Sequence, residues 1–341
     1  MRRTIAGIGR TLITLGLLIL LFVAYQLWGT GIWTARAQDQ LKGDFAKAQR
    51  QYDASTDTDP STVDTSTTVR APSTTTPPTT STTATTSQLR PAPPIPPEGD
   101  AEGWITIPRI GLNMVFVEGT SRDDLKKGPG HYPGTPLPGT LGNAAIAGHR
   151  TTYLHPFYNI DQLVLGDEIK IQTVAGTFYY EVFDPADPSN PPGLYDKRYT
   201  PGVPHQIVKP TDTWVVDNTA QAELTLSACN PKYSAAQRII IKAKLMAAKS
   251  PKPPEPPAPK PAAHGKAISQ QATLSEGLSG QARSLDPAVL WGIIAALVGV
   301  AWWWLFRRWR HPLTWALGVI PFLVVLFPFY VYLERALPAG Y

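Results

Sequence analysis

An all-β domain set between membrane-type helices is the fold class predicted by the 341-residue sequence. Three observations predict it. From Gly103 to Leu245 short β-type runs follow one another, divided by Gly and Pro, with helical patterning confined to 121–127 and about 156–163. On either side lie long tracts rich in Thr, Ser and Pro or in Pro and Ala, which cannot pack. Beyond those tracts the chain carries apolar runs of membrane-spanning length at both ends.

Residues 1–40 open with Arg2, Arg3 and Arg10 ahead of the apolar run Thr11 to Trp28. This is the pattern of an uncleaved anchor whose N-terminus stays in the cytoplasm. The small-x-small triplet Ala35-Arg36-Ala37 lies too far past the run for an ordinary cleavage site. Residues 41–102, low in complexity from Asp53 on, are expected to form an extended extracellular stalk.

Residues 103–246 are the expected folded domain. The runs WITIPRI, MVFVEG, NAAIAGHR, DEIKIQTV, TFYYEVFD, TWVVDN, AELTLSAC and RIIIKAKL read as eight strands. Their spacing alone leaves a closed barrel and a sandwich both open. Residues 247–286 return to linker composition. Residues 287–341 hold two apolar runs, Ala288 to Phe306 and Leu313 to Leu333, joined by the basic loop RRWRHP, and so predict a transmembrane hairpin bent at Pro321 and Pro328. If the N-terminal arginines and Arg307, Arg308 and Arg310 all face the cytoplasm, everything from Thr34 to Asp286 lies outside.

The net charge of +5 does not point to nucleic acid, because the basic residues gather at membrane flanks and in linkers rather than along a helix or stripe. A single cysteine excludes an internal disulfide, so Cys229 is inert, intermolecular or reactive. It stands where a strand meets Asn230-Pro231, at a turn, with Arg238 opening the returning strand. Upstream, the run Ala144 to Ala147 leads through Gly148 to His149, also at a strand end. A thiol, an imidazole and a permanent cation are the groups needed for covalent acyl transfer: nucleophile, general acid and base, and oxyanion partner.

The segment TLSACNPKYSAAQR resembles the TLxTC signature of sortases, the bacterial cysteine transpeptidases, and GPGHYPGTPLPGTLGNAAIAGHRTTY is similar to the histidine region of the actinobacterial class E sortases. The resemblance covers Gly103 to Leu245. It implies an eight-stranded sortase barrel in which Cys229 attacks the Thr carbonyl of an LPxTG-like or LAxTG-like sorting signal, His149 moves protons and Arg238 supports the oxyanion. The partners it implies are proteins with C-terminal sorting signals and a peptidoglycan-precursor or pilin amine as acceptor, with no cofactor, while the apolar runs and arginine clusters make the chain a multi-pass plasma-membrane protein with its catalytic domain outside. His131 and Tyr132 are expected to line the groove, with Ala228 and Asn230 flanking the nucleophile. Ala228 departs from the usual threonine, and the C-terminal hairpin departs from anchoring by the N-terminus alone. The other readings are an exported cysteine protease or amidase with water as acceptor, and a non-catalytic wall-associated scaffold.

Overall fold

The computed structural model describes residues 2–56, 93–252, 284–306 and 312–336. The low-complexity tract at 57–92, most of the linker at 253–283 and the arginine-bearing loop at 307–311 lie outside the described residues.

The strands are β1 (Ala101–Ile107), β2 (Leu112–Glu118), β3 (Gly130–His131), β4 (Gly142–Ala147), β5 (Glu168–Thr173), β6 (Gly176–Val182), β7 (His205–Val208), β8 (Ala222–Asn230) and β9 (Gln237–Leu245). Eight of them close into a barrel in the order β6-β5-β1-β2-β3-β4-β8-β9, with β9 returning to β6. β7 is a ninth, added to β9. The two share that long strand: β7 pairs with Arg238 to Ile241, and β6 takes Ala243 to Leu245. Closure leaves no exposed edge in the ring, which is how an all-β domain avoids edge-to-edge association.

Alternation along the strands fills the barrel. Ile105, Phe116, Ile146, Leu226, Ile241 and Tyr180 are fully buried in one interior cluster, and each such side chain contributes about 1.5–3 kcal/mol through burial. Tyr180 keeps its polar end satisfied by accepting the amide of Gly139 at 2.7 Å. Residues of opposite parity face outward and are covered on two sides. Ala145, Ala147 and Ile240 pack under Val208, Val215 and Val216 of the 183–217 segment. Val115 and Val117 of β2 pack under Leu41 and Phe45.

Those last two residues belong to a helix. The chain is helical over α1 (Arg2–Ala24), a π-helical turn at Tyr25–Gly29 and α2 (Thr30–Thr56). The expected boundary at residue 40 therefore falls inside a helix, and residues 41–56 lie on the barrel wall rather than in a stalk. Gln38 fixes this docking, donating to the carbonyls of Val115 and Lys127, both at 2.8 Å, and accepting the Val115 amide at 2.9 Å.

The count of eight barrel strands agrees with the sequence reading, although one of its members differs. The run TWVVDN is a 3₁₀ turn at Thr213–Val216 whose Val215 and Val216 roof the outer wall. The short β3 supplies the missing strand of the ring. Helical structure appears at α3 (Arg122–Leu125), capped by Ser121 and Asp124 in a reciprocal box, and at a 3₁₀ turn, Ile160–Gln162. At the C-terminal end, α4 (Leu285–Phe306) and α5 (Pro312–Ala336) contain windows, Leu285–Leu305 and Val319–Ala336, apolar and long enough to cross a membrane. The apolar part of α1, Leu12–Ala24, is shorter.

Candidate active site

Three adjacent strands, β4, β8 and β9, lead to or carry the candidate side chains. β4 runs parallel to β8 with Gly142 opposite Ala222 through to Ala147 opposite Ser227, and the Gly148 amide extends the ladder by donating to the Ser227 carbonyl at 3.0 Å. His149 is the next residue along the chain, past the end of the paired ladder. On the other side, antiparallel pairing sets Cys229 directly opposite Arg238. Thiol and guanidinium thus stand side by side on the outward parity of β8 and β9, and His149 follows β4 two residues past its last paired residue.

Each is held by its surroundings. A Cβ at Gly148 would lie 2.6 Å from the Phe157 ring, so glycine is needed for the chain to pass that ring and present His149. Arg238 is buried and donates to the carbonyls of Ala235 and Gln237 at 2.9 and 3.0 Å. Cys229 is partly exposed. Its loop is clamped by Arg150, which donates to the Cys229 carbonyl at 3.2 Å and to Asn230 Oδ1 at 2.7 Å and pairs with Asp161 at 3.1 Å. Sequence reasoning passed over Arg150, although its place directly after His149 was a usable signal.

His149 is held neutral. Burial, then the positive charges of Lys126 and Arg122, push its pKa down to about 4. Its Nε2 is buried without a hydrogen-bond partner among the described residues, leaving a lone pair or proton free for chemistry. The Tyr153 ring packs on the imidazole with centroids 4.9 Å apart.

The four flanking residues separate. Tyr132 stays with the site: it is buried on the same outer wall, and its hydroxyl donates to Ser227 Oγ at 3.5 Å, two residues before Cys229. Asn230 also stays, as an anchor of the loop, accepting from Arg150 and donating to Gln237. Ala228 faces the barrel interior at 3% exposure, paired with Ile239 in the apolar cluster. A hydroxyl at 228 would enter that core rather than the groove, because strand alternation fixes it opposite to Cys229.

His131 does not line the groove. It is 1% exposed, with Nδ1 at 2.7 Å from Glu118 and 3.2 Å from Glu102, and Nε2 at 3.0 Å from the Pro136 carbonyl and 2.9 Å from Thr135 Oγ1. Burial alone would discharge this imidazole, but the two carboxylates outweigh it and raise its pKa to about 10. Burial likewise raises Glu102, to about 7. Glu102, Glu118 and His131 are the one group among the described residues whose ligand atoms converge closely enough to hold a metal ion, a grouping that sequence spacing does not reveal. Nδ1 of His131 itself stands between the two carboxylates, at 2.7 and 3.2 Å.

Residues 105–246 match the family model described as the sortase domain. The chain is 24% identical over 255 residues to Sortase SrtE2 of Streptomyces coelicolor, covering 72% of this chain and 83% of that one. It is 38% identical over 87 residues to Sortase D of Bacillus subtilis, spanning 26% of this chain and only 42% of that relative's length. Among solved structures, a sortase E mutant from Streptomyces avermitilis is 30% identical with a TM-score of 0.35, covering 46% of this chain and 98% of that one. The match of residues 105–246 to the family model makes this folded region a sortase domain.

Proposed function

We propose that this chain is a membrane-held cysteine transpeptidase that cleaves an LPxTG-like or LAxTG-like sorting signal between Thr and Gly and transfers the upstream polypeptide to a cell-wall amine. The observation that supports the reading is the strand register, which sets Cys229 opposite Arg238 and runs β4, just before His149, alongside the strand that carries Cys229.

The neutral imidazole accepts the Cys229 proton, and the thiolate attacks the Thr carbonyl carbon. Negative charge then develops on the carbonyl oxygen beside Arg238, whose fixed guanidinium stabilises it without reorienting. The C–N bond breaks as the His149 imidazolium protonates the departing glycine amine, leaving a thioester on Cys229. In the second half an incoming amine attacks the thioester, its proton passes to His149, and the thiolate leaves and is reprotonated.

The same reading places the barrel outside the cell. α1 and α5 approach each other, the Tyr330 hydroxyl donating to the Leu18 carbonyl at 2.7 Å, and both helices end toward the barrel. Arg2, Arg3 and Arg10 and the arginines of the 307–311 loop then share the cytoplasmic side.

The test is product analysis with the full chain in detergent, a peptide carrying LAxTG and an added amine. Transfer to the amine that vanishes in Cys229→Ala supports the proposal. Free acid as the sole product shows a hydrolase, and turnover retained in Cys229→Ala overturns the cysteine mechanism.

A further inference from the structure

Glu334 occupies the last turn of α5, inside the window apolar enough to cross a membrane, and it is buried. An ionisable group there persists only with partners, and these partners come from the barrel. Arg122 of α3 pairs with Glu334 at 3.3 Å and donates to the carbonyls of Glu334 and Arg335 at 2.6 and 2.8 Å, capping the helix with a cation as its dipole favours. Lys126 lies 3.9 Å from the carboxylate. The closest side-chain bond is that of Tyr153, whose buried hydroxyl donates to Glu334 Oε1 at 2.7 Å.

Tyr153 is the residue whose ring lies against His149. It opens three consecutive residues with positive φ, 54° at Tyr153, 60° at Leu154 and 39° at His155. Side chains rarely adopt this conformation, and a run of three persists only when its surroundings hold it. Here the Tyr153 amide donates to Thr30 of α2 at 3.2 Å, while its hydroxyl is held by α5. Helices from both ends of the chain therefore fix the loop that packs on the imidazole.

We propose that Glu334 is a positioning residue for His149, acting through Tyr153, so that the C-terminal helices are a working part of the active site. A helix that served only as a second anchor would have no use for a buried carboxylate aimed at this loop. The inference rests on the transpeptidase reading for its rate predictions, but not for its structural one.

The charged and titratable groups set around His149 are Lys126 and Arg122 from the α3 region and Tyr153 from its own loop, with Glu334 opposing the two α3 cations. The experiment uses the full chain in detergent as wild type, Tyr153→Phe, Glu334→Gln and the double variant, with thermal midpoints confirming folding. It measures kcat and KM for peptide transfer and the imidazole titration of His149 by NMR. Each single variant is expected to lower kcat about tenfold through misplacement of the base, with KM little changed. The double variant should be no slower than the slower single, since both break one linkage. In Glu334→Gln the His149 titration should move lower still, because Arg122 and Lys126 lose their counter-charge, and Glu334→Asp should restore part of the rate. Unchanged kcat in Glu334→Gln, or losses that multiply in the double variant, would overturn the proposal. If the wild type transfers no peptide, the functional reading fails and the titration alone decides: an unmoved His149 refutes the linkage.

Discussion

His131 lies on β3 and His149 just past the end of the neighbouring β4, both largely out of solvent, and both stand in the stretch of sequence that resembles a sortase histidine region. Their surroundings make them opposites. His131 sits between two carboxylates with both ring nitrogens occupied, and its pKa is raised to about 10. His149 sits near two cations with Nε2 unpartnered among the described residues, and its pKa is lowered to about 4. Burial acts in the same direction on both, so the sign of the neighbouring charge decides which imidazole is structural and which can move a proton.

The largest effect should come from breaking the reactive side of this comparison. His149→Gln is expected to lower peptide transfer by about 10²–10⁴-fold, the usual worth of a general acid and base, with the thermal midpoint near that of wild type. A loss below fivefold would show that some other group moves the proton.

The same substitution at the other histidine should invert the result. His131→Gln leaves Glu102 and Glu118 buried without their cation, and breaking such a group costs about 3–5 kcal/mol of stability. Folded His131→Gln protein should retain its transfer rate, as measured below its lowered midpoint.

The two sites should also load opposite ends of the pH–stability curve. The raised His131 pKa gives a contribution fully present below about 6.5, its unfolded value, and lost as pH rises through about 10. The depressed His149 pKa gives one present above about 6.5 and lost as pH falls through about 4. Denaturant titrations should show the alkaline slope weakened in His131→Gln and the acid slope weakened in His149→Gln. If both slopes survive both substitutions, other groups carry them.

The smallest expected effect is at Ala228. Ala228→Thr inserts a hydroxyl and a methyl into the barrel interior and should cost about 1–3 kcal/mol without raising turnover. A faster enzyme at unchanged stability would mean that the 228 side chain reaches the groove.

Much of this was legible in the chain. Strict alternation in AELTLSAC fixes which residues of that strand face out, and Arg238 opens the returning strand just after the turn, so Cys229 and Arg238 could be brought together from sequence. What escaped detection depends on tertiary partners. The run TWVVDN has strand composition, yet its valines cover the outer wall from a 3₁₀ turn. β3 is too short to show periodicity. The inward stripe of α2, namely Thr34, Gln38, Leu41, Phe45 and Tyr52, has helical spacing, but polar residues fill its first half because they bond to barrel carbonyls. His131 was misjudged for a related reason: its carboxylate partners come from β1 and β2, and only the closed barrel brings them within 3.2 Å.

The most direct measurement is an NMR titration of the imidazoles in the full chain, assigned through His131→Gln and His149→Gln. The account predicts one histidine that remains protonated beyond pH 9 and is lost in His131→Gln, and one that remains neutral to about pH 4 and is lost in His149→Gln. Titration of both near 6.5, the value of an unperturbed histidine, would contradict it.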